Sequence, residues 1–320
     1  MSFGVIPLAT LVCALVVSVV VIARWRRDDA FRRIVVPAAL LDGVATARRF
    51  FVGRLAIATA AAGLVGAAAF AVNEGLPSAL GRVALLAPGL ASLTALVLVA
   101  AFPAVSIREP GTSRSADLDR RRPWSYAPRW AVGLPVAAGS LVLGAVIAFG
   151  LTSSTQEDGQ YRAFTVVNGD YTSTSSPYPG WFYGVPIAAM VIAIAVVAVV
   201  ALTRIAGAPR PTDSGLREID AVMRMLATRV VVKLTTGTFL LYLGVILAVG
   251  GNAMSSASGQ WTGEAYARIE PWTTLSLVSI LVGLVTVAFG LCFVLLAVLD
   301  VARAPSATRP ASLPRPVGAV

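Results

Sequence analysis

The chain has 320 residues, of which 57% are hydrophobic and 13% charged, and its mean hydropathy is +0.79. A water-soluble domain carries about a quarter charged residues, so this composition excludes an ordinary soluble globule and fits lipid as the solvent. The net charge of +10 reads as topology rather than nucleic-acid binding, because it is arginine placed between apolar runs, with Lys233 the only lysine.

The first apolar run spans 4–22 and contains Cys13, which reads as a small hydrophobe, as does Cys292 in the last run. No basic residue precedes the run, which argues against a cleaved signal peptide. The following loop holds Arg24, Arg26, Arg27, Arg32, Arg33, Arg48, Arg49 and Arg54, and its adjacent Asp28 and Asp29 read as neutralised surface charge. Further runs follow at 55–72, 83–105, 131–151, 185–202, 230–249 and 275–298. Each approaches the roughly 20 residues needed to cross a bilayer and none has a charge at its centre. The run at 55–72 is Ala- and Gly-rich and is the weakest of the seven.

Of the 26 basic residues, 23 fall in alternate connections and the tail, and only Arg82, Arg162 and Arg268 fall in the others. Arginine accumulates on the cytoplasmic side of short loops, so the expected fold is an all-α transmembrane bundle of about seven spans, N-out and C-in. Trp130, Trp181 and Trp272 mark run boundaries, where amphipathic rings favour the headgroup region. The last six runs form three hairpins with Arg54, Arg129 and Arg229 before their first helices, hinting at a two-helix repeat that positive-inside selection alone would also give. Residues 1–302 read as one bundle, and 303–320, with four prolines, as a disordered cytoplasmic tail.

Within the spans, Thr59, Gly63 and Ala67 share a helix face, as do Ser140, Gly144 and Ala148, and both faces are expected to pack closely against neighbouring helices. Pro88-Gly89 predicts a kink. Glu74, Lys233 and Asp300 lie within snorkelling reach of an interface.

The outer loop, 152–184, contains two β-prone stretches around Asn168-Gly169, the dipeptide best suited to a type I′ turn. A hairpin turning on those two residues would pair Val166 with Tyr171 and Phe164 with Ser173. Phe164, Val166 and Tyr171, with Tyr178, Trp181 and Tyr183 from the aromatic segment 177–183, form the candidate extracytoplasmic recognition surface; the bland alternative is a cap on the bundle. In 213–229, apolar Leu216, Ile219, Val222, Met223 and Leu226 alternate at helical spacing with Arg217, Glu218, Asp220 and Arg224. Leu216, Arg217, Ile219, Met223, Arg224 and Leu226 therefore mark a candidate cytoplasmic helix that runs into the span at 230–249 and either docks a partner or lies on the anionic inner leaflet of the bilayer.

The stretches 117–130, 179–186 and 216–220 resemble uncharacterised multi-pass integral membrane proteins of high-GC actinobacteria, a resemblance that implies a membrane bundle and no particular activity.

Catalytic chemistry is hard to assemble from this chain. Without histidine there is no Ser-His dyad or HExxH zinc site, no span holds an aspartate pair, and no P-loop, GxGxxG or cysteine cluster is present. No catalytic residue, metal or cofactor is expected, nor any nucleic-acid partner. The leading expectation is a non-enzymatic subunit or sensor of the cell membrane that binds a partner or ligand. The alternative is a transporter component for a small or amphipathic solute, with Thr235, Thr236 and Thr238 available to line a path.

Overall fold

A computed structural model describes residues 19, 33–35, 41–102, 126–169, 171–209, 214–262, 265–302 and 306–308. The run at 4–22 thus lies, Val19 apart, outside the described residues. The other six runs become helices, each long and apolar enough to cross a membrane: α1 (Leu41–Gly75), α2 (Arg82–Ala101), α3 (Arg129–Leu151), α4 (Trp181–Gly207), α5 (Ser214–Ser258) and α6 (Trp272–Ala302). In hydrocarbon every backbone polar group must be satisfied within the segment, which is why runs of this composition become helices.

Several helices outrun their apolar stretches. The Ala-rich run at 55–72 is the second half of α1, and the amphipathic segment, from Ser214 on, is the first part of α5 and runs into the apolar stretch at 230–249 as expected. At about 1.5 Å per residue α5 is some 67 Å long against a hydrocarbon core of about 30 Å, so one end of it stands outside the apolar layer. It is also the central helix, the most buried of the six, whereas α1 is the least.

The helices form three antiparallel hairpins whose tips share one end. Arg82 at the start of α2 donates from Nε to the Phe182 carbonyl in the first turn of α4 (2.9 Å), and Tyr183 Oη donates to the Leu80 carbonyl in the α1–α2 turn (2.8 Å). At the opposite end Arg204 of α4 donates to the carbonyl of Ala100 in the last turn of α2 (3.0 Å). Of the described arginines, Arg204 and Arg224 lie at that second end.

The hairpin-tip end carries the β structure. Strands β2 (Ser154–Thr155), β3 (Tyr161–Asn168) and β4 (Tyr171–Ser175) form an antiparallel sheet in the order 2-3-4. The predicted hairpin is present, but Val166 pairs with Ser173, Phe164 with Ser175 and Asn168 with Tyr171, so the turn advances by one residue. The physical reason is Gly169, whose φ of 60° places it at the first turn position, with Asn168 still in the ladder. The change in register is even and leaves the parity of the ladder unaltered.

A second hairpin, β5 (Gly259–Thr262) with β6 (Ala265–Arg268), follows α5 and was not expected. In the tail, where no order is expected, β7 (Ser306–Thr308) pairs in parallel with β1 (Arg33–Val35); the rest of 303–320 lies outside the described residues.

Helix α2 continues through Pro88 as one helix. Gly89 provides clearance for neighbouring helices, since a Cβ there would fall 2.5 Å from Met190 Cγ and would also meet the Tyr242 hydroxyl.

Candidate functional site

At the hairpin-tip end, the aromatic residues predicted as a recognition surface are mostly interior. Phe164, Val166 and Tyr178 are fully buried, and Tyr183 nearly so. Tyr178 lies between Phe149 at the end of α3 (centroids 5.4 Å apart) and Phe164 of β3 (5.1 Å), and Phe164 meets Trp272, the first residue of α6, edge-on at 5.1 Å. The Tyr178 hydroxyl bonds the Thr152 hydroxyl at 2.6 Å. Burial holds this phenol above its ordinary pKa range, with the Thr152 bond acting in the other direction. Trp181 is half-buried against Gly150, where a Cβ would fall 2.6 Å from its ring.

The structure therefore brings Phe164, Val166 and Tyr178 together as the inner face of a cap, and puts Trp181 and Tyr183 on separate helix seams. The side chain of Tyr171 lies outside the described residues. The exposed positions of the sheet include Tyr161 and Val167 instead. Tyr178→Phe is expected to cost about 1 kcal/mol, because one buried hydrogen bond is lost while Thr152 keeps its own bond to the Ala148 carbonyl. Tyr178→Ala is expected to cost about 3–5 kcal/mol through the cavity left under the cap. Thermal unfolding of the two purified variants measures both.

At the arginine-rich end, Ile219, Met223 and Leu226 are buried against the bundle and Arg217 is exposed; the side chain of Leu216 lies outside the described residues. Arg224 departs from the expectation of a lipid-facing arginine, being only 1% exposed. Its Nε donates to Asp220 Oδ2 (2.7 Å), its Nη1 to the carbonyls of Ile205 (2.8 Å) and Ala208 (2.9 Å), and its Nη2 to that of Pro209 (2.8 Å). The cause is the end of α4, whose last carbonyls have no intrahelical partner. The planar, always charged guanidinium satisfies three carbonyls there and complements the negative pole of the helix.

Lys233 of α5 and Asp300 of α6 likewise do not snorkel apart. They form an ion pair between the two helices, with Asp300 fully buried. Nearby along α5 the hydroxyls of Thr228 and Thr235 are buried without a partner, while that of Thr236 bonds the Val232 carbonyl. Thr238, the third hydroxyl considered for a solute path, is engaged with Ser92 of α2 at 2.5 Å.

Between the α1–α2 hairpin and the α5–α6 pair lies a lateral groove of about 430 Å³, lined almost wholly by apolar side chains. Thr59, Gly63 and Ala67, predicted to pack against a neighbouring helix, line it instead. A Cβ on Gly63 would meet nothing within 4 Å, and the Thr59 hydroxyl is spent on the Leu55 carbonyl of its own helix. Ala91 and Ala95 of α2 continue the small-residue wall, and Val230, Leu234 and Val294 close the far side. The other predicted face, Ser140, Gly144 and Ala148, is exposed on the outside of α3. Small residues permit close approach of helices, and at these two faces no neighbour approaches among the described residues.

Close packing occurs elsewhere, on glycines that sequence reading passed over. On α5, Gly237, Gly244 and Gly251 recur every seven residues and face Gly290, Gly283 and Ser276 of α6. A Cβ on Gly237 would lie 2.9 Å from the Gly290 carbonyl oxygen, one on Gly244 2.7 Å from that of Gly283, and one on Gly251 2.8 Å from that of Ser276. The shared seven-residue spacing in two adjacent runs was the available signal.

No protein-family model, no curated protein and no solved structure matches the chain.

Proposed function

We propose that the chain is a non-enzymatic, multi-pass membrane subunit that binds a partner's transmembrane helix laterally, in the groove between α1–α2 and α5–α6. The observation carrying this reading is the groove's wall: a small-residue face on α1 with no neighbour among the described residues, at the depth of an apolar run, opposite a well-packed helix pair. Lipid tails supply no hydrophobic drive between helices, so a surface of this kind favours another helix through close backbone contact. The buried inner face of the cap and the inward-turned Arg224 move the expected binding surface from the two bundle ends to its side.

The groove lining argues against the solute-transport reading. A solute path needs polar groups at membrane depth, and here Ser92, one of the few hydroxyls on the wall, is engaged by Thr238. The absence of histidine from the whole chain supports the non-enzymatic part.

A photoreactive residue at position 63 or 91 in native membranes is expected to crosslink to a second protein, and one at Ile192, on the exposed face of α4, is not. Adducts at 63 and 91 that map only to residues 4–22 of the same chain, or only to lipid, would overturn the proposal.

A further inference from the structure

A second cavity, of about 670 Å³, opens on the opposite side of α1 toward the arginine-rich end. Its lining includes Arg49, Gly53 and Arg54 of α1 and the exposed apolar side chains of Phe50, Ile57 and Phe102. Arg54 immediately precedes the apolar run 55–72. Its Nε and Nη2 are buried and make no hydrogen bond, although a buried cation ordinarily has a partner or an acceptor. Among the described residues no acidic side chain lines the cavity. Among the described residues the site therefore joins two arginines, one of them with two unsatisfied guanidinium nitrogens, to an apolar trough leading toward the middle of the run.

We infer that this cavity is a binding site for one anionic phospholipid of the leaflet at the arginine-rich end. The phosphodiester is held by the Arg54 guanidinium with Arg49 at the rim, and an acyl chain lies along Phe50, Ile57 and Phe102. A guanidinium fork matches two phosphate oxygens in geometry and charge. The adjoining trough, itself apolar, requires that the anion carry a tail, which a free phosphate lacks. A zwitterionic headgroup would bring its own cation against two arginines, so the site discriminates by net charge. The inference is independent of the lateral groove, which lies across α1 from it.

The test is native mass spectrometry of the full-length, detergent-purified chain titrated with phosphatidylglycerol or phosphatidylcholine. The wild type is expected to retain one phosphatidylglycerol about tenfold more tightly than phosphatidylcholine, as for a charge-assisted contact. Arg54→Gln is expected to abolish that preference and Arg49→Gln to weaken it, while Arg268→Gln, exposed at the far end, leaves it intact. Gly53→Leu keeps both arginines and, with nothing within 4 Å of its new Cβ, fills the trough without strain. It is expected to lose the lipid at unchanged thermal stability, which keeps the test decisive if Arg54→Gln does not fold. Equal retention of the two lipids by the wild type, an undiminished preference in Arg54→Gln, or displacement of phosphatidylglycerol by inorganic phosphate would each overturn the proposal.

Discussion

Arg224→Ala is expected to destabilise the protein by about 3–5 kcal/mol. The change removes four hydrogen bonds at once and leaves Asp220 as a buried carboxylate without its cation. The carbonyls of Ile205, Ala208 and Pro209 lose their donor at the end of α4, where the helix supplies none. Arg224→Lys keeps the charge but not the planar fork, and is expected to recover only part of the loss. Asp220→Leu combined with Arg224→Met should be less damaging than Arg224→Ala, because no buried charge is then stranded. Thermal unfolding ranks the variants, and amide exchange in residues 204–207 locates the effect. Exchange there that is unchanged in Arg224→Ala would show that the arginine does not hold the end of α4.

Arg204, which donates to the end of α2, is the same device on a second helix. Both arginines lie at the end of the bundle where the sequence concentrates positive charge, and helix C-termini of α2 and α4 lie there too. A charge distribution read as a topology signal is thus also put to structural use, since cations are favoured at the negative pole of a helix. Arg82 differs: at the hairpin tips it sits 3.8 Å over the Phe182 ring and bonds that residue's carbonyl, tying one helix start to another.

The helices themselves were legible because lipid imposes a length and a composition on any segment that crosses it. Their ends were less so. The stretch 214–229 continues into the apolar part of α5 as its amphipathic spacing predicts, but 41–54, assigned to a loop, is the first part of α1, because a hydropathy boundary does not mark the end of a helix whose backbone bonds simply carry on. The cap was legible from Asn168-Gly169, and its turn moved on by one residue because only the backbone decides which turn position the glycine occupies. Arg224 was not legible, because Asp220 and Arg224 four apart look the same whether the pair faces solvent or interior. Its role depends on where α4 stops, which is a tertiary fact. The groove was hidden for a related reason: small residues on α1 say that a helix can approach, not that one does.

That distinction makes the second large effect a contest between two sets of glycines. Gly244→Leu is expected to cost about 3 kcal/mol, and Gly283→Leu a similar amount, because the new Cβ atoms would fall 2.6 Å from the backbone nitrogens of Val287 and Ala248 respectively. A rotamer change cannot relieve a clash with backbone, so α5 and α6 must separate along the seam built on Gly237, Gly244 and Gly251. Separation would also pull Lys233 away from Asp300, leaving a fully buried carboxylate without its partner. Gly63→Leu and Gly144→Leu, on the faces that the sequence favoured, meet nothing within 4 Å and are expected to lie within about 0.5 kcal/mol of the wild type. Melting curves of the four variants of the isolated chain in one detergent compare them directly. Equal losses at positions 63 and 244 would mean that the α1 face is already occupied within the single chain, and the lateral groove would then have no room for a partner.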